Sequence, residues 1–174
     1  SFVDTKEEIL ALKRKSKHVA PHLHNALEIV CVTNGTLELG VGQELYHMKK
    51  GDIGFVFPDI IHHYQIFSPG VNKAVYIISP PFAIGKYAEI IQTMAPDYPI
   101  IKAEMVEPEV YRAINAIIDT DNMDIAVIQA YLQIVIARCI GKLKLVEKGD
   151  VGSKDLVYQA VSYVSGNFRK NFSL

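Results

Sequence analysis

The chain has 174 residues, of which 49% are hydrophobic and 21% charged, so it is long enough for one globular domain with an extension. A formal net charge of −1 gives it no overall electrostatic attraction for nucleic acid. Cys31 and Cys139 lie in apolar segments, which predicts two buried, reduced thiols. No signal peptide is visible, and glutamines and an arginine interrupt the apolar residues 125–140, so no membrane span is expected. We therefore expect a soluble cytoplasmic protein.

Residues 9–78 have the pattern of short strands separated by turns. Residues 27–33 are apolar and β-branched, and they end at Asn34-Gly35, a dipeptide typical of hairpin turns. Further turn signals occur at residues 40–43, at residues 50–52, at Pro58 and at residues 68–70. This spacing predicts a β-barrel or sandwich over residues 1–80, and a jelly roll fits the number of strands.

After Pro81 the apolar residues recur at helical spacing, so the predicted fold class is α+β, with a barrel followed by α-helices. A short helix is expected over residues 82–94. A second helix is predicted from Pro108 to about Asp119, because proline suits the first helical turn. We expect the segment 81–147 to pack on the barrel and to form a dimer.

A longer helix is predicted over residues 123–146, with Asp121 or Asn122 as its N-cap. Two apolar stripes run along it. The first stripe comprises Ile125, Ile128, Leu132, Val135 and Cys139, and the second comprises Leu132, Ile136, Ile140 and Leu143. One stripe suffices to cover a barrel, so two stripes favour a partner subunit, with Ile128, Leu132, Val135 and Cys139 as the dimerisation seam. The alternative is that both stripes serve the chain's own core.

A set of metal-ligand residues lies within the strand region. His22, His24 and Glu28 share even parity, so an extended strand would project them from one face, and His62 would join them from a second strand. Imidazoles with a carboxylate are the ligands of borderline divalent metals, here Zn, Ni, Mn or Fe. The alternative is a polar pocket lining in which these residues satisfy each other and bind water. His63 points to the opposite face and is excluded.

Parity also predicts residues of a ligand pocket. Tyr64 and Ile66 share a face with His62, and Val30 shares a face with Glu28. Tyr46 is added as a further candidate. An apolar cavity with a few convergent polar groups is typical of a small-molecule site.

The arrangement resembles the cupin family. His22, His24, Glu28 and Gly35 match its first motif, whereas Ser16 stands where that family usually has glycine. The second motif is represented by Gly51, Pro58 and His62, with one extra residue between the glycine and the proline. That spacing is similar to the sensor domain of AraC-type transcriptional regulators.

The resemblance extends to the end of the chain. Residues 148–153 are predicted to be a linker. The spacing of Val161, Tyr163, Val164, Phe168, Ser173 and Leu174 resembles the opening of the AraC-type DNA-binding region. A helix-turn-helix needs a second helix for the major groove. The segment 148–174 is therefore expected to be a linker and the first helix of a DNA-binding domain, and DNA contact is expected only through the missing region.

The resemblance implies the sensing and dimerisation part of a regulator rather than an enzyme. A small effector such as a sugar would bind in the barrel, and its binding would shift a conformational equilibrium. The alternative is a metal-dependent cupin enzyme of the dioxygenase or sugar isomerase type. A purely structural dimerisation module is a third reading, and the six histidines argue against it.

Overall fold

Eleven strands and three α-helices form among residues 8–121 and 124–151, the part of the chain that the computed structural model describes. The strands are β1 (Leu10–Lys15), β2 (Val19–His22), β3 (Leu27–Asn34), β4 (Thr36–Val41), β5 (Glu44–Lys49), β6 (Ile53–Val56), β7 (His62–Gln65), β8 (Lys73–Ser79), β9 (Met94–Pro96), β10 (Ile100–Ile101) and β11 (Leu145–Glu147). The helices are α1 (Ala88–Thr93), α2 (Pro108–Asp119) and α3 (Ile125–Cys139). The predicted α+β class is confirmed.

Two antiparallel sheets enclose the barrel. The five-stranded sheet has the order β1-β8-β3-β6-β10, and the four-stranded sheet has the order β2-β7-β4-β5. Side chains from both sheets meet in one buried cluster, which we call the barrel interior. Its members are Val30, Val32, Leu37, Leu39, Val41, Met48, Val56, Ile60, Tyr64, Ala74, Tyr76, Ala95 and Ile100.

The other face of the five-stranded sheet is covered by the helices. Successive residues of β3 alternate between the two sides, since Val30 faces the barrel interior while Ile29 and Cys31 face the helices. We call this second cluster the helix-side core. It includes Leu27, Ile29, Cys31, Phe55, Val75, Ile77, Val110, Ile114, Ile117, Ile128, Leu132 and Val135. Burial on both faces explains why β3 is apolar at every position from Ile29 to Val32 rather than alternating.

The turn predicted at Asn34-Gly35 lies between β3 and β4 as expected. Gly35 has a φ of 67°, a conformation that glycine adopts without steric cost. A Cβ at this position would collide with the Asn72 side chain, whose Oδ1 accepts a hydrogen bond of 2.9 Å from the amide of Thr36. The glycine therefore permits both the turn and the close approach of the neighbouring loop.

The predicted boundary of the barrel at residue 80 is too early. β10 adds to the five-stranded sheet through the pairing of Ile100 with Gly54, and Ala95 and Ile100 lie in the barrel interior. Segment 81–147 is therefore not wholly helical: it also holds β9 and β11, which pair with each other. These strands are too short to show a period in the sequence, so they were not predicted.

The helix from Pro108 to Asp119 is confirmed, but the long helix is shorter than predicted. It begins at Ile125, with Asp124 as its N-cap, and it ends at Cys139 rather than at Val146. The residues that follow form a 3-10 turn and then β11. Pairing of β11 with β9 overrides the helical spacing of the apolar residues.

The predicted dimerisation seam is corrected by the packing of α3. Ile128, Leu132, Val135 and Cys139 are all buried in the helix-side core of their own chain. They contact α2 and the sheet and present no seam to a partner subunit. The intramolecular alternative accounts for both stripes, because Ile136 and Leu143 of the second stripe are buried there too.

The opposite face of α3 is nevertheless apolar. Val127, Ala130 and Ala137 are exposed on it, and Val127 is 38% exposed, whereas Ile125 is 50% exposed at the N-terminal end of the buried stripe. Residues Ile125–Lys142 have a mean hydropathy of 1.4, so by length and composition alone they could cross a membrane, and 28% of them are buried. A helix that is apolar on all sides is normally buried on all sides, so the exposed face of α3 is a candidate contact surface.

Of the predicted linker and DNA-binding helix, only the first residues are described. Lys148–Asp150 form a 3-10 turn in which the Lys148 ammonium donates to the carbonyls of Ile91 and Gln92. Residues 152–174, on which the remainder of that prediction falls, lie outside the described residues.

Candidate metal centre

The four predicted metal ligands converge at one end of the barrel. His22, His24, Glu28 and His62 each offer one ligand atom, and these atoms lie within 4.8 Å of one another. His62 and Glu28 are buried, and His22 and His24 are partly buried. The expectation that His62 reaches the group from a second strand is met, because His22 on β2 pairs directly with His62 on β7.

Parity alone predicted that His22, His24 and Glu28 lie on one strand. In the structure they do not. β2 ends at His22, the chain bends, and Glu28 lies on β3 in the other sheet. The cluster therefore bridges the two sheets, with His22 and His62 on one and Glu28 on the other. His24 lies in the bend between them.

Contacts across the barrel end hold this bend in place. The amide of Asp59 donates to the His24 carbonyl at 2.9 Å, and the Asn25 side chain donates to the Asp59 carboxylate at 2.8 Å. Asp59 has a φ of 62°, a left-handed conformation that aspartate tolerates better than most residues. Sequence reasoning missed both Asn25 and Asp59, although Pro58-Asp59 is a recognisable turn dipeptide.

Backbone hydrogen bonds determine which nitrogen two of the histidines present. His22 Nδ1 lies 2.9 Å from the carbonyl of Ala20, and His62 Nδ1 lies 2.8 Å from the carbonyl of Ile60. A carbonyl oxygen only accepts, so each Nδ1 carries the proton. In the neutral ring, Nε2 then carries the lone pair that can bind a cation, which is the usual arrangement behind metal-bound histidines.

The polar atoms at the centre of the histidine cluster have few hydrogen-bond partners. Tyr64 donates to Glu28 Oε2 at 2.9 Å. His62 Nε2 lies 2.8 Å from the same oxygen, within ion-pair distance, but the contact is not aligned as a hydrogen bond. Both ring nitrogens of His24 are without a hydrogen-bond partner among the described residues. Buried lone pairs of this kind are costly unless satisfied, and a divalent cation would satisfy several at once.

The electrostatics favour the deprotonated forms that bind metals. Burial, followed by the charge of His62, lowers the pKa of His24. For Glu28, burial by itself raises the pKa, but the contacts with His62, His24 and Tyr64 outweigh it and the net pKa is lowered. The lowered pKa values favour a neutral His24 ring and an ionised Glu28 carboxylate, and a donor set of imidazoles with one carboxylate fits a borderline divalent metal.

The predicted pocket residues line the same barrel. Val30 and Tyr64 are buried in the barrel interior, and Tyr46 and Ile66 are partly buried and pack against it. Tyr46 also contacts Tyr98 edge to face, with ring centroids 5.2 Å apart.

Sequence reasoning missed a polar group next to Tyr64. The rings of Tyr64 and Tyr76 are 5.5 Å apart, and the Tyr76 hydroxyl donates to the buried Ser16 at 3.1 Å. The Arg14 guanidinium lies 4.7 Å from the centre of the Tyr76 ring. Ser16 is the residue that departs from the usual cupin glycine, so that departure was the available signal.

The remaining histidines stay outside the cluster. His63 projects to the other face of β7, as predicted, and its ring covers Gly40, where a Cβ would collide with it. His18 is exposed, and the His47 side chain is 48% exposed and pairs with Glu38.

Comparison with known proteins agrees with this architecture. The structure is similar to that of the AraC-like transcriptional activator CuxR, with a TM-score of 0.63, 8% sequence identity, and coverage of 96% of this chain and 63% of that one. It is also similar to a RmlC-like cupin from Shewanella frigidimarina (TM-score 0.37, 23% identity, 42% of this chain, 68% of that one). KdgF from a Halomonas species is another such match (TM-score 0.38, 19% identity, 42% of this chain, 69% of that one).

No curated protein matches the sequence. The family model described as the AraC-like ligand-binding domain matches residues 8–132, which span the barrel, α2 and the first half of α3. The chain therefore belongs to the AraC-like ligand-binding domain family.

Proposed function

We propose that this chain is the effector-sensing and dimerising part of a transcription regulator, and that its effector binds at the barrel end formed by His22, His24, Glu28 and His62. The observation that carries the proposal is that buried nitrogens of His24 and His62 have no hydrogen-bond partner among the described residues, and that they lie beside Tyr64 and Glu28 in an otherwise apolar barrel. Such a combination is what recognises a small polar molecule. A sugar fits this chemistry, because its hydroxyl groups both donate and accept hydrogen bonds.

We also propose that the four residues hold one divalent metal. Zn, Ni, Mn or Fe would accept the Nε2 lone pairs of His22 and His62, one nitrogen of His24 and the Glu28 carboxylate. The bound metal would supply a Lewis acid that ligates an effector oxygen. The protein's own part is to orient the imidazoles through the carbonyls of Ala20 and Ile60.

A metal-dependent cupin enzyme is the competing proposal, and the same cluster supports it. A dioxygenase or a sugar isomerase would use that metal to activate dioxygen or substrate. Membership of a ligand-binding family favours the regulator, and we propose that the chain is not an enzyme. Turnover of sugars, or oxygen consumption by the metal-loaded protein above that of the Glu28→Gln variant, would favour the enzyme instead.

Ligand screening by thermal unfolding tests the proposed site. The full chain is loaded with each metal and mixed with panels of sugars and other small polar molecules. A ligand at about 100 times its Kd stabilises the folded state by about 2.7 kcal/mol, which raises the Tm measurably. His18→Ala, at an exposed position outside the cluster, should respond as wild type does, whereas Tyr64→Phe should respond less. A panel that leaves the Tm unchanged with every metal argues against the effector site.

For dimerisation we propose the outer face of α3 in place of the buried seam. Val127, Ala130 and Ala137 are exposed there, so the helix is apolar on this side as well. A second copy of the same helix would cover this face in a two-fold dimer.

We propose that the regulator contacts DNA through a region other than residues 8–121 and 124–151. The chain carries a net charge of −1 and spans 63% of the length of CuxR. The regulator we propose would act in the cytoplasm, with effector binding altering how the DNA-binding region is presented.

A further inference from the structure

A second cavity lies outside the barrel, between the five-stranded sheet and α2. Its volume is about 560 Å³, within the range of small-molecule sites. Cys31 and Val75 of the sheet and Ile114 of α2 form an apolar floor, and Thr33, Lys50 and Asn115 are among its polar lining residues. Lys50 and Asn115 are exposed, so the cavity opens to solvent.

The cavity is separated from the candidate metal centre by the sheet itself. Cys31 and Val75 point towards the helices, whereas their neighbours Val30 and Tyr76 point into the barrel interior. A molecule bound against Cys31 would therefore not touch the histidine cluster, and the two sites can be occupied independently.

Hydrogen bonds keep the walls of the cavity in place. The Tyr111 hydroxyl on α2 donates to the Gly51 carbonyl at 2.6 Å, and the Gly51 amide donates to the Val32 carbonyl at 2.8 Å. The adjacent Asp52 carboxylate accepts from the amides of Lys49 and Ala103, each at 2.8 Å. Burial raises the pKa of Tyr111 to about 12, so its hydroxyl stays protonated and keeps this bond. The cavity is pre-formed, which lowers the entropy cost of binding.

The charges at the cavity favour an anion. The Lys50 ammonium has no ion-pair partner among residues 8–121 and 124–151, and Lys13 on β1 lies directly beside Val75 on the same face of the sheet. The buried Asp52 carboxylate is engaged by Lys102 and by backbone amides, and Glu104 is the other acidic group near Tyr111. The Asn115 side chain adds a hydrogen-bond donor at the mouth.

We propose that this cavity binds a small organic anion, with a single carboxylate at Lys50 and Asn115 and an apolar aromatic or aliphatic body against Cys31, Val75 and Ile114. Binding itself does not depend on the barrel site. Its regulatory consequence does rest on the proposed function. Such a ligand would lie between the sheet and α2, which is joined to α3 by the Arg138–Glu109 ion pair at 2.7 Å.

The probe that tests the proposal is 2-naphthoate, with the uncharged 2-naphthalenemethanol as its matched control. Calorimetry on the full chain should show saturable binding of naphthoate, about threefold or more tighter than binding of the alcohol. Lys50→Gln should weaken naphthoate binding about threefold, as expected for an exposed charge. Asn115→Phe fills the mouth and should weaken it at least about tenfold. Arg112→Phe, also exposed on α2 but outside the cavity, should bind as wild type does.

Methyl NMR locates the probe. Naphthoate should shift the methyl signals of Ile114 and Val75 and leave that of Leu39 in the barrel interior unchanged. Absence of binding, or equal binding of the alcohol, would overturn the proposal. Shifts at Leu39 instead of Ile114 would place the probe in the barrel, which would overturn this inference while leaving the proposed effector site intact.

Discussion

The two faces of the five-stranded sheet bury similar apolar residues but differ in the polar groups beside them. The helix-side core is built from aliphatic side chains, Phe55, Phe57 and two cysteines, and the buried Asp52 carboxylate near Cys31 is satisfied by the amides of Lys49 and Ala103. The barrel interior adjoins Glu28, His62 and Ser16, all buried, together with the hydroxyls of Tyr64 and Tyr76. Buried polar atoms without hydrogen-bond partners are costly, and among the described residues those atoms are nitrogens of His24 and His62 on the barrel side, which indicates where the fold gives up stability for a binding site.

The largest effect should separate the two sides of α3. Replacing Ile128 and Val135 together by Glu places two charges in the helix-side core, so the variant should fail to fold. Replacing Val127 and Ala130 by Glu instead should leave a folded monomer, because both are exposed on the outer face. Circular dichroism and analytical ultracentrifugation measure the two outcomes. A folded Ile128/Val135 variant, or an outer-face variant that remains dimeric, would contradict the assignment.

Substitution of His24 should lower metal affinity far more than it lowers the free energy of unfolding. Its ring makes no hydrogen bond among the described residues, so His24→Ala should change the free energy of unfolding of the metal-free protein by less than about 1 kcal/mol. The same change should lower metal affinity at least about tenfold, since it removes a ligand. Calorimetry with Zn and Ni, and urea unfolding in chelator, measure both quantities. His18→Ala, at an exposed position, is the matched control.

The cysteines test whether the helix-side core excludes solvent. Burial raises the pKa of both Cys31 and Cys139 to about 12, so little thiolate is present at pH 8. The native protein should react with a thiol reagent at least about a hundredfold more slowly than the urea-unfolded chain. The raised pKa values also make stability depend on pH, because above pH 9 the unfolded chain ionises its thiols and the folded chain does not. The contribution of the two thiols to the free energy of unfolding is therefore complete below the unfolded pKa of about 9 and is lost as the pH rises towards 12.

Mass spectrometry of the labelled native protein distinguishes the two thiols. Cys31 borders the open cavity beside α2, whereas Cys139 does not, so Cys31 should be modified first. Preferential labelling of Cys139 would contradict the described packing of α3.

The smallest effect is expected at the surface, outside both clusters. Arg138 lies 2.7 Å from Glu109, and both side chains are substantially exposed. Arg138→Ala should lower the free energy of unfolding by less than about 1 kcal/mol, because solvent and salt screen such pairs. Urea unfolding at low and high salt measures the change, and a loss of several kcal/mol would show that α2 and α3 depend on this pair.

Local signals in the sequence determined much of the fold. Gly35 and the β-branched run before it predicted the turn that follows β3, and Pro108 predicted the start of α2, because glycine tolerates the positive φ of a turn and proline fixes its own φ. The four metal-ligand candidates were also found by residue type and spacing. What spacing did not show is that Glu28 lies in a different sheet from His22, with the bend at His24 between them.

Long-range packing decided the rest. β11 ended the long helix at Cys139, because pairing with β9 outweighs a continued helical pattern. The apolar stripe through Leu132 was visible in the sequence, but its partner was not, since a stripe reads the same against a sheet as against a second subunit. Periodicity identifies the side of an element that is buried, and only the tertiary structure shows what buries it.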